Sequence, residues 1–465
     1  MKYSEKHIFK IGRQYIQYHP ASSKEYLEAV LGAEKTLEQK CIRTPKGIYW
    51  KDGLQEQPDI SFYSGSAGIA YFYIKLYVAT GDEKYKKIID EAMDYLLATW
   101  QTFEVAKMSS PLPEAGNGFY TGLVALTIPM IEAYALETEE ERKCEIKQAV
   151  RAITDRVLKI AREEQGHLYW RKNLSMFYDG GVLLQLAQIA DFLKDEKLLE
   201  TAADSASFLS KLAEKSATGG LIYDGYNGAN GYVAPNFEFG SAGAGYVLLR
   251  FYELTGKKEF LEKAVLCARF LDEISVAQEK GKLIPYRVGE DAPTIFYLGA
   301  CHGPAGTGKF YYKLYQITKD PKYVQDLNEL FEGLEALGAP RKMSSGLWNC
   351  VNYCCGASGH VHTYIGLYLG TGEERWKELA KQSANILLGE KDQTEDGAVY
   401  WKTALDRIAP NVYTIPVGYY DGIAGIAGTL LEMYLLEENH FHWSRLADDP
   451  YKEEYNKEEC NDEKE

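Results

Sequence analysis

Seven times along this chain a small-residue turn bearing a glycine opens onto an apolar, aromatic run the length of one helix. The segments are "YSGSAGIAYFYIKLY" from Tyr63, "YTGLVALTIPMIEAY" from Tyr120, "YDGGVLLQLAQIADF" from Tyr178, "FGSAGAGYVLLRFYE" from Phe239, "CHGPAGTGKFYYKLY" from Cys301, "CCGASGHVHTYIGLY" from Cys354 and "YDGIAGIAGTLLEMY" from Tyr420. Their first glycines, Gly65, Gly122, Gly180, Gly240, Gly303, Gly356 and Gly422, are 53 to 66 residues apart. Self-similarity at such a period marks a repeat architecture, in which one supersecondary unit cannot bury its apolar face alone.

Between the turns lie amphipathic segments with apolar residues near 3.6-residue spacing, such as "DEKYKKIIDEAMDYLLATW" after Gly81 and "DEKLLETAADSASFLSKLAEK" after Lys194. Each repeat therefore reads as an outer amphipathic helix, a loop and an inner apolar helix. The segment "SSKEYLEAVLGAEKTLEQK" ahead of the first turn is expected to be the outer helix of repeat one, which closes the count at seven pairs. Inner helices that are apolar nearly all round must be covered on both sides, so the expected fold is all-α: an α/α toroid of seven helix pairs. An open solenoid would need polar end caps that the sequence does not offer. The expected organisation is one toroid domain over residues 1–446 and an acidic C-terminal tail over 447–465. All seven inner helices would then aim their amino termini, with their free N–H groups, at one cavity. The residues just before each turn glycine are expected to line it: Ser64, Thr121, Asp179, Phe239, His302, Cys355 and Asp421, with Cys301 and Cys354 one step earlier.

Composition narrows the partners. A net charge of −15 argues against nucleic acid, which is bound through clustered lysine and arginine. No stretch of the sequence carries the unbroken apolar run of a signal peptide's core or a membrane span, so a cytoplasmic protein without a transmembrane segment is expected. Eight cysteines in such a chain point to reduced thiols or metal ligands in preference to disulfides.

Those cysteines are placed with purpose. "CHG" at Cys301 and "CCG" at Cys354 occupy the same turn in adjacent repeats, which a toroid makes spatial neighbours. Three soft thiolates at two helix starts match a Zn2+ site with three protein ligands, Cys301, Cys354 and Cys355, and one open position, the arrangement of catalytic zinc. A buried small cysteine packing at a turn is the plainer alternative for any one of them.

The sevenfold glycine turn, with "ACHGPAG" in repeat five and "YCCGASG" in repeat six, resembles the lanthionine synthetase C-like family, from Tyr26 to Leu436. The resemblance implies thioether ring closure in peptides, with zinc held by a repeat-five cysteine and an adjacent cysteine and histidine of repeat six. Carried over, the ligands are Cys301, Cys354 and, in the histidine's place, Cys355. Three thiolates give a net site charge of 2 − 3 = −1, so a substrate thiolate is less neutralised and more nucleophilic. The family's acid or base histidine before the repeat-four glycine is replaced by Phe239, its repeat-two aspartate is missing from "GNGFYTG", and its arginine is missing from "TIFYLGA".

Glu238 and His302 are the candidate catalytic residues that could take over proton transfer, with His360 and His362 behind them. Spaced two apart on one helix, those two histidines cannot share a face, so at most one reaches the cavity. Asp179 and Asp421 read as caps. The leading expectation is a zinc-dependent cyclase that activates a thiol for Michael-type addition to a dehydroamino acid made by a separate dehydratase. A non-catalytic zinc protein that binds a peptide or a small thiol such as glutathione is the first alternative, and a carbohydrate-active α/α toroid the second.

Overall fold

The structure, a computed structural model, describes residues 19–51, 58–102, 118–225, 231–290, 292, 294–341, 350–404, 413–440 and 446–451. Fourteen α-helices occur among these residues, in alternating layers. The outer layer comprises α1 (Ser23–Gln39), α3 (Glu83–Thr99), α5 (Glu140–Lys159), α7 (Glu196–Leu209), α9 (Lys258–Ile274), α11 (Pro321–Ala336) and α13 (Glu374–Gly389). The inner layer comprises α2 (Ser66–Thr80), α4 (Thr127–Leu136), α6 (Asp179–Leu193), α8 (Ser241–Thr255), α10 (Pro304–Thr318), α12 (Ala357–Thr371) and α14 (Ile423–Glu437). Together they form an α/α toroid, with inner helices in contact around the ring and α14 returning to α2.

The two layers follow from the sequence. In α2 every residue from Ser66 to Leu76 is buried, which leaves no face for solvent. In α3 the buried set Tyr85, Ile88, Ile89, Ala92, Met93 and Leu96 recurs at helical spacing, leaving one side wet. Asp82, Asp195 and Asp320 start outer helices by accepting a backbone N–H with their carboxylates.

The pairing within repeats corrects the sequence reading. Each inner helix packs on the outer helix that follows it, and α1 packs on α14 at the far end of the chain. The connection decides this: only two or three residues separate an inner helix from its successor, as at Gly81, whose φ of +64° ends α2 in a left-handed turn. So short a link makes its helices antiparallel neighbours. The longer return from an outer helix to the next inner one carries a β-hairpin after α1, α5, α7, α9 and α13, for example Cys41–Thr44 on Gly47–Trp50. The helix ahead of the first turn is therefore the clasp of the ring, joining the first repeat to the last.

A belt of backbone hydrogen bonds joins the seven turns. Tyr63 N–H donates to Tyr120 (3.0 Å), Phe119 to Phe177 (2.8 Å), Phe177 to Glu238 (2.7 Å) and Glu238 to Cys301 (3.1 Å). Cys301 donates to Cys354 (3.2 Å), Cys354 to Tyr420 (2.9 Å) and Tyr420 back to Tyr63 (2.9 Å). Glycines one helical turn into the inner helices keep the turns this close. A methyl on Gly306 would lie 2.7 Å from Phe237 Cβ of the preceding repeat, and one on Gly68 would lie 2.7 Å from Tyr419 Cβ across the seam.

The tail expected to begin at residue 447 is a second correction. Leu446 to Tyr451 are all buried, inside the ring of inner helices, and residues 452–465 lie outside the described residues. The acidic side chains that suggested solvent find partners there: Lys309 Nζ is 3.2 Å from Asp448, and His362 Nε2 is 3.1 Å from Asp449. No helix among the described residues is long and apolar enough to cross a membrane.

Candidate metal centre

The belt sets the site. Glu238, Cys301 and Cys354 are consecutive members of it, each two residues before its turn glycine, so three equivalent positions of adjacent repeats meet at one sector of the rim. The inward positions are thus those two before the glycine, together with Cys355 one before it. In the repeat-six turn, Asn352 Oδ1 accepts the Cys355 N–H (2.9 Å) and Asn352 O accepts that of Gly356 (3.0 Å), which folds "NYCCG" back on itself. The nearby Cys350 thiol donates to the Cys355 carbonyl at 3.0 Å and stands apart from the other three.

Cys301, Cys354 and Cys355 bring their sulfurs together within 4.8 Å of one another. Cys355 Sγ lies 3.6 Å from Cys301 Sγ and 3.5 Å from Cys354 Sγ. Tetrahedral zinc with Zn–S bonds of about 2.3 Å separates its sulfurs by about 3.8 Å, so the donor set and its spacing fit that ion with little adjustment. Cys301 and Cys354 are each 3% exposed and Cys355 is half-buried, so Cys355 is the most accessible of the three.

Charge is distributed unevenly among the thiols. Hydrogen bonding with Cys301 and Cys354 lowers Cys355 to about 7. Burial raises Cys301 well above its usual value; Cys354 is also raised, against the hydrogen bond of Cys301, because it interacts with Cys355 and is buried. Glu238 completes the group: its Oε1 accepts from Cys354 Sγ at 3.6 Å, and burial, with the Cys354 sulfur beside it, pushes its carboxyl well above the carboxylate range.

The other candidates lie elsewhere. His302 stacks 4.9 Å from the Phe239 ring, with Tyr286 edge-on at 4.6 Å. Burial, helped by the charge of Arg287, lowers it to about 3, which leaves the imidazole neutral. His360 is buried in α12 and lowered by burial to about 3. His362 lies between Glu432 (2.9 Å) and Asp449 (3.1 Å) in the middle of the ring. Asp179 secures the preceding loop, accepting from the N–H groups of Trp170, Arg171 and Asn173. Asp421 accepts from Ser64 Oγ at 2.6 Å, across the seam between repeats seven and one.

Below the rim lies a buried polar network that the sequence reading missed. Lys75, Lys309 and His362 face Glu432, Asp448 and Asp449, three bases against three acids. Charges inside largely apolar helices, in "YFYIKLY", "TGKFYYKLY" and "TLLEMYLL", were the available signal for Lys75, Lys309 and Glu432. Such groups are seldom buried unless paired. Nothing local marked Asp448 or Asp449.

A family model described as lanthionine synthetase C-like protein matches residues 56–446. Among solved structures, nisin cyclase shares this fold with a TM-score of 0.64 and 13% identity, over 93% of this chain and 98% of its own. A D-mannose isomerase aligns with a TM-score of 0.44 at 17% identity, over 68% of this chain and 87% of its own. A GH76 α-mannanase from Bacteroides thetaiotaomicron gives 0.44 at 13% identity, over 89% and 96%.

Proposed function

The chain belongs to the lanthionine synthetase C-like family, and we propose that Cys301, Cys354 and Cys355 hold a zinc ion at which a peptide thiol adds to a dehydroamino acid, closing a thioether. The observation that carries this reading is the set of three sulfurs at metal-binding separations, with the Glu238 carboxyl 3.6 Å from one of them. Zinc in such a site lowers the pKa of an incoming thiol and fixes the position of its sulfur. The half-buried Cys355 side is where that thiol enters.

The remaining work falls to the protein's own groups. The new bond joins sulfur to the β-carbon of the alkene; the thiol gives up one proton and the α-carbon gains one, so neither oxidant nor reductant is needed. Glu238, whose carboxyl lies against the Cys354 sulfur, can hold that proton. His302, neutral and stacked between aromatic rings, is the poorer candidate. Positioned proton transfer of this kind is worth about 10²–10⁴ in rate. The dehydroamino acid comes from a separate dehydratase.

Phe239 favours a second reading. A phenyl ring where the family has an acid or base histidine suits a protein that holds a peptide or small thiol at zinc without closing rings. One experiment separates the two. Purified protein should contain about one zinc per chain, and Cys355→Ser should lose most of it. Wild type should cyclise a dehydroalanine peptide, and Glu238→Gln should do so at least 100-fold more slowly with its zinc intact. Zinc-loaded wild type that binds thiols without turnover supports the binding protein, and folded protein that takes up no zinc overturns both readings.

A further inference from the structure

The segment Leu446–Tyr451 is built into the centre of the toroid and touches three of its inner helices, α8, α10 and α12. Tyr246 Oη of α8 donates to Ala447 O at 3.1 Å, and Lys309 of α10 pairs with Asp448. His362 of α12 pairs with Asp449 and, through its other nitrogen, with Glu432 of α14. The Tyr451 ring lies 5.1 Å from Tyr312. A methyl on Gly366 would sit 2.7 Å from Tyr451 Cε2 and closer still to the rest of that ring edge, so α12 is shaped around the segment.

Asp448 is the residue of this segment that reaches up to the rim. Its Oδ2 accepts from Tyr120 Oη at 3.2 Å, from Tyr420 Oη at 3.5 Å and from Lys309 Nζ at 3.2 Å. Tyr120 and Tyr420 belong to the belt that carries the cysteines, and their rings pack 4.7 Å apart. Their hydroxyls, buried like the rest of the residue, lie in the field of Glu238 as well as that of Asp448. The second oxygen of Asp448, Oδ1, is buried with no protein partner among the described residues. The carboxyl group thus gathers two phenols and an ammonium on one oxygen and offers the other as an acceptor beneath the sulfurs.

We propose that Asp448 is a positioning residue of the thiol site, contributed by the C-terminal segment, which orients Tyr120 and Tyr420 beneath the Cys301–Cys354–Cys355 cluster. The proposal rests on the thiol-addition reading for its kinetic test only. The segment does more than fill space, because a filler would need neither a carboxyl group nor a buried lysine to match it.

The test uses the full chain. Asp448→Asn keeps the shape and removes the charge. Because this strands Lys309 and can weaken folding, the double variant Asp448→Asn/Lys309→Gln removes both charges together. In the zinc-loaded double variant, kcat for addition to a dehydroalanine peptide should fall at least 10-fold while KM stays within threefold of wild type. A kcat within twofold of wild type overturns the proposal, as does a loss that follows only the loss of folding or zinc. A separate readout covers a wild type that does not turn over, which would refute thiol addition alone. With 3-fluorotyrosine at position 120, the fluorine resonance should shift when glutathione is added to zinc-loaded wild type and lose at least half of that shift in the double variant. An unchanged response in the double variant, or none in wild type, overturns the positioning role.

Discussion

Replacing Gly299 with alanine should release zinc without touching a ligand. Gly299 is buried beneath the repeat-six turn, and a methyl there would lie 2.5 Å from Cys355 Cα and nearer still to its carbonyl. Ordinary contact begins at 3.4 Å, so the two turns must part by roughly 1 Å, and backbone cannot swing aside as a flexible side chain can. The Cys301–Cys355 sulfur separation of 3.6 Å then becomes roughly 4.5 Å, beyond the roughly 3.8 Å that tetrahedral zinc requires. Displacing the supports of a metal site typically costs about 10- to 100-fold in affinity, or about 1.4–2.7 kcal/mol. Competition against a chromophoric chelator measures it, with helical circular dichroism and a full thiol count as controls. A folded Gly299→Ala variant that binds zinc within twofold of wild type would refute the argument that turn contact sets the sulfur spacing.

Two more outcomes test the interior and the rim. Burial alone would lower His362, yet the facing carboxylates of Glu432 and Asp449 raise it to about 9, with Lys75 behind Glu432 and the Tyr353 and Tyr451 rings alongside. Its folded pKa therefore lies above the unfolded value of about 6.5, so its stabilisation is complete below about pH 6.5 and fades as pH rises through 9. The loss is on the order of 3 kcal/mol. Urea unfolding between pH 6 and 10 should show it in wild type, and a matching slope in His362→Gln would assign it elsewhere. At the rim, Phe239→His puts an imidazole between Phe177 and His302, next to Glu238. In a Glu238→Gln background it should recover thiol addition at least 10-fold, and no recovery with zinc bound would count against a proton donor at that position.

The ring was legible because its signal is repeated. One glycine turn says little, but seven at one period, each opening a helix with no polar face, admit few arrangements. The cysteine cluster was legible for the same reason, since equal register in adjacent repeats puts Cys301 beside Cys354. Glu238 holds the equivalent place in repeat four, although the sequence reading put Phe239, one residue later, at the lining position. Helix pairing was not legible from periodicity, because it depends on which connection is short. The hairpins, with strands of two to four residues, are too brief to show alternation. Asp448 and Asp449 were misread as solvated because their partners, Lys309 and His362, are remote in sequence, and burial of a charge depends on its partner.

The belt of hydrogen bonds through the seven turns has neither a first link nor a last. A linear array of repeats can fray from a terminal unit, losing one neighbour contact at a time. Here every unit has two neighbours, so releasing one opens two junctions at once and leaves both flanking turns with unpaired backbone groups. The number seven is fixed by closure in the same way: a chain with one repeat fewer or one more would have to change the angle at every junction, and with it the distance between Cys301 and Cys354. The metal site is in this sense a gauge of the whole circumference, and its sulfur spacing can be kept only while all seven repeats remain in register.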